Sequence, residues 1–287
     1  MDFCRAQVTV VGLGLMGGSL AAALKRERSC RRVIGVARRQ STLQTAAMLQ
    51  FIDEGTTDLR EGVSEADIVV LATPVGDILN KVRTIGPWLK PGCLLMDVGS
   101  TKKAICDAMA ELPDHVQAVG GHPMCGKESS GIAMAEPDLY QDKVFVLTPL
   151  QRTTAEALSL AQTLVKAIGA RSILLDAEQH DAIVGAISHL PYMLAVTLVN
   201  SVEALAGGDD LYWELAASGF RDTSRVAAGS LAMMLDILVT NRGNILRTLY
   251  EAQRQLEKLV STLEQDDWEQ LRLLLEAARD RRQEVYR

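Results

Sequence analysis

A histidine set among glycines is the residue in this sequence best placed to move a proton. It stands in Gly120-Gly121-His122-Pro123-Met124-Cys125-Gly126, directly after the strand-like run Val116–Val119. An imidazole ionises near neutral pH, so it can accept a proton in the step in which a cofactor accepts a hydride. A second pattern supplies a place for such a cofactor. Gly12-Leu13-Gly14-Leu15-Met16-Gly17 is a GxGxxG loop between the apolar run Val8–Val11 and a helical stretch. In that pattern Gly12 allows the tight turn, Gly14 lets backbone approach a pyrophosphate, and Gly17 lets helix pack on strand. Leu15 and Met16 then open the helix, whose N-terminus favours an anion.

The end of the second strand-like run bears on which dinucleotide binds. NAD-binding proteins usually place Asp or Glu there for the ribose hydroxyls. This chain reads Val36-Ala37-Arg38-Arg39-Gln40-Ser41-Thr42, with no acid, two arginines and two hydroxyls. A guanidinium pairs with a 2′-phosphate through two parallel hydrogen bonds, and Ser41 or Thr42 can donate to it. This predicts NADP; the other reading is two ordinary loop charges and an enzyme that uses NAD. Thr73-Pro74 and Ser100 each follow an apolar run, where ligands of open parallel sheets sit, and are expected beside the nicotinamide. Asp97 reads as a loop or cap hydrogen bond. Of the remaining histidines, His115 reads as surface and His180 as a helix-face or capping residue. His189, in Ile187-Ser188-His189-Leu190-Pro191, reads equally as a core or a site residue.

The elements that must position these residues change character part-way along the chain. Up to about residue 175, strand-like runs (Val8–Val11, Val33–Val36, Ile68–Ala72, Cys93–Val98, Val116–Val119, Val144–Leu147, Ser172–Leu175) alternate with helical stretches. This predicts an α/β fold, a Rossmann-type and mostly parallel sheet over residues 1–175. Residues 176–287 read as all helical, over Ala177–Leu205, Leu211–Ser218, Ser230–Gln265 and Asp267–Tyr286, with a kink at Pro191. The 287 residues, 48% of them hydrophobic, suffice for one large or two ordinary domains. A net charge of −6 argues against nucleic acid as a partner. The five cysteines are scattered, with no metal-binding spacing, and read as reduced thiols. No signal peptide is evident, and Lys, Asp, Gly or Pro interrupts every apolar run before it reaches membrane-span length. A cytoplasmic protein without a membrane partner is expected.

Taken together the motifs resemble the prephenate/arogenate dehydrogenases of tyrosine biosynthesis. The matching pieces are Gly12–Ala21, Ala72–Val75, Asp97–Lys102, Gly120–Gly131, Ile187–Pro191 and Ser218–Ala227, and they span nearly the whole chain in family order. The resemblance is greatest to the NADP-linked arogenate enzymes of cyanobacterial type. It implies oxidative decarboxylation of a cyclohexadienol without a metal, with arogenate or prephenate as the small-molecule substrate. It implies His122 as the base that receives the substrate hydroxyl proton and Ser100 as a second partner of that hydroxyl. His189 falls on the substrate side and Arg225 grips a carboxylate, while Glu128 and Arg221 match an ionic gate of some relatives. The resemblance further implies a homodimer through the C-terminal helices; no mutase segment or regulatory ACT domain, which some relatives carry, is expected, so that any inhibition by tyrosine would act at the active site. Two rivals fit less well: the β-hydroxyacid dehydrogenases, whose catalytic-lysine spacing does not occur after residue 150, and a sensor that binds NADP without turnover.

Overall fold

The structure is a computed structural model that describes residues 2–127 and 129–286. Its first half alternates β1 (Gln7–Val11), α1 (Leu15–Glu27), β2 (Arg32–Val36), α2 (Gln40–Met48), β3 (Glu54–Thr56), α3 (Leu59–Ser64), β4 (Ile68–Leu71) and α4 (Val75–Ile85). It continues through β5 (Leu94–Asp97), α5 (Lys103–Ala110), β6 (Gln117–Pro123), β7 (Val144–Pro149), α6 (Ala155–Ala167) and β8 (Arg171–Leu174). The strands form one sheet in the order β3-β2-β1-β4-β5-β6-β7-β8, and among the described residues only β6 and β7 pair antiparallel. The strands β1, β4 and β5 are buried at every position, as expected of a sheet covered on both faces. The short, largely exposed β3 and the single-turn helices carry too little apolar pattern to be read from sequence.

Strand β1 pairs with both β2 and β4, so the strand order reverses direction there. Ligands of such sheets bind beyond the carboxyl ends at that point. Gly12 follows β1 and Thr73 follows β4, which puts both expected cofactor contacts at this crevice. The histidine-bearing strand β6 lies two strands further along, and Gly121 is pinned from below. Asp97 at the end of β5 accepts from the Gly121 N–H at 2.9 Å, and Lys102 Nζ donates to the Gly121 carbonyl at 2.6 Å.

The second half comprises α7 (Ala177–Val184), a π-helical turn at Gly185–His189, α8 (Leu190–Ala206), α9 (Leu211–Glu214), α10 (Ser218–Ser224) and a 3-10 turn at Arg225–Ala228. It ends with α11 (Leu231–Thr240), α12 (Arg242–Glu264) and α13 (Trp268–Val285). Three expectations are corrected here. The helix expected over Leu211–Ser218 is two short helices, and the one expected over Ser230–Gln265 breaks at Asn241. Pro191 does not end the helix. The π turn routes the Leu190 N–H to the Gly185 carbonyl, and the proline falls in the first turn of α8, where a missing N–H costs little. Ala177–Ala206 therefore runs on as one helix of 30 residues, long and apolar enough to cross a membrane, contrary to the expectation that no run reaches that length. Its first turns, however, are docked by hydrogen bonds onto the sheet domain at Lys102 and Lys103.

Candidate active site

The glycine loop has the shape a dinucleotide requires. Gly12 holds φ at +100°, and a Cβ there would lie 2.6 Å from the Thr73 methyl and 2.7 Å from the Ala72 carbonyl. A Cβ on Gly17 would fall 2.0 Å from the Gly12 carbonyl, so helix α1 approaches the loop as closely as backbone allows. A Cβ on Gly14 would meet nothing within 4 Å. Open space lies just where a pyrophosphate would need to approach. Gly14 caps α1 without a side-chain hydrogen bond, and no acid stands in the first turn, so the N–H groups at Leu15 and Met16 remain suited to an anion. These residues fit a dinucleotide.

Arg38 and Arg39 are exposed beyond the end of β2, with Ser41 exposed and Thr42 half-buried behind them. Arg39 caps α2 with no side-chain hydrogen bond, and the first turn of α2 contains no acid. Thr73 is half-buried, Pro74 is exposed, and Ser100 is half-buried in the turn after β5.

His122 lies near the end of β6, half-buried, with its Nδ1 2.8 Å from Nε2 of His180. The two rings meet edge to face. His180 Nδ1 in turn lies 2.8 Å from Asp181 Oδ1. The reading of His180 as a helix-face or capping residue is thus corrected: only 1% of it is exposed, and it stands directly behind His122. Helix α7 puts it there because Asp176 caps the helix by accepting from the Gln179 N–H, which fixes the first turn and with it the direction of His180 and Asp181. The Nε2 of His122 makes no hydrogen bond among the described residues. Desolvation, reinforced by the neighbouring His180, Lys102 and His189, pushes the His122 pKa well below the usual imidazole range. Its ring is neutral at pH 7, as a base must be.

Asp97 also exceeds its expected part. Its carboxylate and the Lys102 ammonium form an ion pair with both side chains fully buried, and it accepts from the Gly99 N–H at 2.7 Å. Asp181, also buried, accepts from the N–H groups of Lys102 at 2.7 Å and Lys103 at 2.9 Å. Burial alone would raise the Asp181 pKa; hydrogen bonds from His180 and the two amides outweigh it and hold the pKa below the usual value.

His189 is 2% exposed in the π turn. Asn241, at the break between α11 and α12, donates to the Asp181 carbonyl at 2.7 Å and lies 3.1 Å from His189 Nδ1. That makes Nδ1 the acceptor and leaves the proton on Nε2, so the ring presents a neutral donor. Burial lowers its pKa to about 4. Asn241 was not singled out from the sequence, where it sits inside a continuous helical pattern.

Arg225 opens the 3-10 turn that packs on α8 and is exposed. Arg221 is exposed and pairs with its neighbour Asp222 at 3.1 Å. Glu128, the other half of the expected gate, lies outside the described residues.

Two family models match almost end to end. Residues 20–174 match the nucleotide-binding domain of prephenate dehydrogenase, and residues 176–277 match its dimerization domain. The chain belongs to the prephenate dehydrogenase family. As a member it is an NAD(P)-dependent oxidoreductase. It is 35% identical to the prephenate dehydrogenase of Bacillus subtilis (strain 168) over 98% of this chain and 76% of that one. Among solved structures, the Aquifex aeolicus prephenate dehydrogenase in complex with hydroxyphenyl propionate and NAD+ superposes with a TM-score of 0.91. It is 28% identical, and 98% of each chain is covered. The Synechocystis arogenate dehydrogenase gives a TM-score of 0.84 at 34% identity, over 97% of this chain and 99% of that one.

Proposed function

We propose that this chain converts arogenate to tyrosine by oxidative decarboxylation, with NADP as hydride acceptor. The observation that carries the reading is the position of His122. A neutral imidazole whose Nε2 has no partner among the described residues stands at the carboxyl end of a strand in the dinucleotide sheet. When bound, the nicotinamide supplies the hydride acceptor. The protein's part is to take the proton. The C4 hydroxyl of the substrate gives its proton to His122 Nε2, with Ser100 as a second hydrogen-bond partner. The C4–H bond breaks with its electrons, which leave as hydride, and C4–O becomes a carbonyl; loss of the C1 carboxylate as CO2 returns its bonding electrons to the ring, and the oxygen regains a proton from His122 to give the phenol. His189, a neutral donor through Nε2, serves the substrate side, and Arg225 grips a carboxylate by its planar fork. Arg221 and Glu128 are assigned to an ionic gate, as the family resemblance implies.

NADP is favoured by Arg38, Arg39, Ser41 and Thr42 beside an uncapped helix end without acids, and arogenate by the likeness to the Synechocystis enzyme over the full chain. The name of the Bacillus subtilis relative favours prephenate, which would yield 4-hydroxyphenylpyruvate, and the NAD+ bound to the Aquifex aeolicus enzyme favours NAD. A homodimer is supported by the many exposed apolar side chains of the helical half, among them Leu205, Leu215, Leu231 and Val239, and by the description of the matching domain. The five cysteines, all free, suit a reducing cytoplasm. The test is reduced-cofactor formation with each substrate and each cofactor side by side. Arg38→Ala should raise the KM for NADP about tenfold or more and leave that for NAD nearly unchanged. A wild-type preference for NAD or for prephenate would overturn that part of the reading.

A further inference from the structure

The established chemistry of a family dehydrogenase requires a base; it does not say what keeps that base in the right protonation form. A neutral imidazole can accept the substrate proton on Nε2 only if its own proton sits on Nδ1. We propose that Asp181 and His180 are positioning residues that lock His122 in this tautomer. The proposal rests on the reading of His122 as the base and adds the device that arms it.

The geometry fixes the direction of each bond in turn. Asp181 carries a lowered pKa and is a carboxylate, so it can only accept. His180 Nδ1, 2.8 Å from Asp181 Oδ1, is therefore the donor. When that is the ring's one proton, His180 Nε2 is a lone pair. Its neighbour at 2.8 Å, His122 Nδ1, must then donate. The only nitrogen left to His122 for chemistry is Nε2, with its lone pair free. Reversing the series would aim a lone pair of His180 at a buried carboxylate.

Asp181 is itself held rigidly. Helix α5 has no acid in its first turn, and Lys102 caps it without a side-chain bond. Asp181 reaches across from α7 and accepts from the N–H groups of Lys102 and Lys103, capping α5 from outside. Its carbonyl also accepts from Asn241. One residue of the helical domain thus secures the turn that follows Ser100 and, through His180, the ring of His122. Both partners of the substrate hydroxyl are positioned from a single point.

The test uses the full-length protein labelled with 15N-histidine. The His122 resonances, assigned by their loss in His122→Asn, should show a protonated Nδ1 and an unprotonated Nε2; a protonated Nε2 on the neutral ring would overturn the proposal. In Asp181→Asn, an amide NH2 turned toward His180 inverts the series, and the protonated nitrogen of His122 should change to Nε2. The kcat should fall about tenfold or more, since wrong-tautomer losses in catalytic triads reach about 10⁴, while both KM values change by less than about threefold. Because Asp181 also caps α5, His180→Leu and His180→Gln give a second route. Leucine strands His122 Nδ1 and should cost about a hundredfold in kcat, whereas glutamine can accept from it and should restore most of the rate. Equal kcat in Leu and Gln variants, with only the melting temperature lowered, would reduce the pair to a structural role. Absence of turnover by the wild type would strike the proposed function, while the tautomer measurement would still decide this one.

Discussion

Removing the Lys102 ammonium should cost the protein a large part of its stability. The side chains of Lys102 and Asp97 are both fully buried, and Lys102 also donates to the Gly121 carbonyl. Lys102→Met keeps much of the packing volume but leaves the Asp97 carboxylate with only the N–H groups of Gly99 and Gly121. Stranding one member of a buried pair costs about 3–5 kcal/mol, against a total of about 5–15 kcal/mol for a folded domain. With a urea slope near 2 kcal/mol per molar, the midpoint should fall by about 2 M. The double variant Lys102→Met/Asp97→Asn removes the stranded charge and should recover more than half of the loss. It should still lack about 1 kcal/mol for the unpaired Gly121 carbonyl. Urea melts of the three proteins followed by circular dichroism measure this. A loss below about 1 kcal/mol in the single variant, or no recovery in the double one, would refute the reasoning.

Further outcomes concern the loop, the histidines and Asn241. Gly14→Ala should leave the melting temperature unchanged, because its Cβ meets nothing, yet raise the cofactor Kd about tenfold; Gly17→Ala should lower the melting temperature as well, because its Cβ meets the Gly12 carbonyl. Calorimetry and cofactor titration separate the two. Both site histidines have lowered pKa values, so the acid limb of kcat/KM should lie below pH 6.5, and a limb near 7 would contradict the burial argument. Stability should be full above 6.5, the unfolded value, and fall as pH drops toward about 4, because the unfolded chain then holds protons that the folded His189 refuses. Urea midpoints across that range check the sign. Asn241→Leu leaves the Asp181 carbonyl and His189 Nδ1 without their donor; it should cost about 1–3 kcal/mol in stability and lower kcat/KM more than it lowers cofactor affinity.

The sheet was legible because its strands are nearly continuous Val, Ile and Leu runs, and the cofactor loop because each glycine answers a local steric demand. His122 was legible for a similar reason, standing at the end of a strand among glycines that leave it few structural duties. His180 was not, since its burial and its contact arise only when α7 docks beside β6, 58 residues away in the chain. The one local signal was an adjacent His-Asp pair one turn after a capping aspartate. Asn241 was hidden by the unbroken apolar period on either side of it, and β3 by its length of three residues. Lys102 gave no sign either, because lysine is rarely fully buried and the partner that permits it, Asp97, looked like an ordinary turn residue.

The central proposal is that His122 accepts the proton in a cyclohexadienol oxidation. The most direct measurement is the appearance of reduced cofactor from NADP with arogenate, and separately with prephenate, by the wild-type protein and by His122→Asn. The wild type should turn over, and the variant should lose about 10²–10⁴ in kcat while binding NADP as tightly as before. Turnover with neither substrate, or a variant that keeps most of its kcat, would contradict the account.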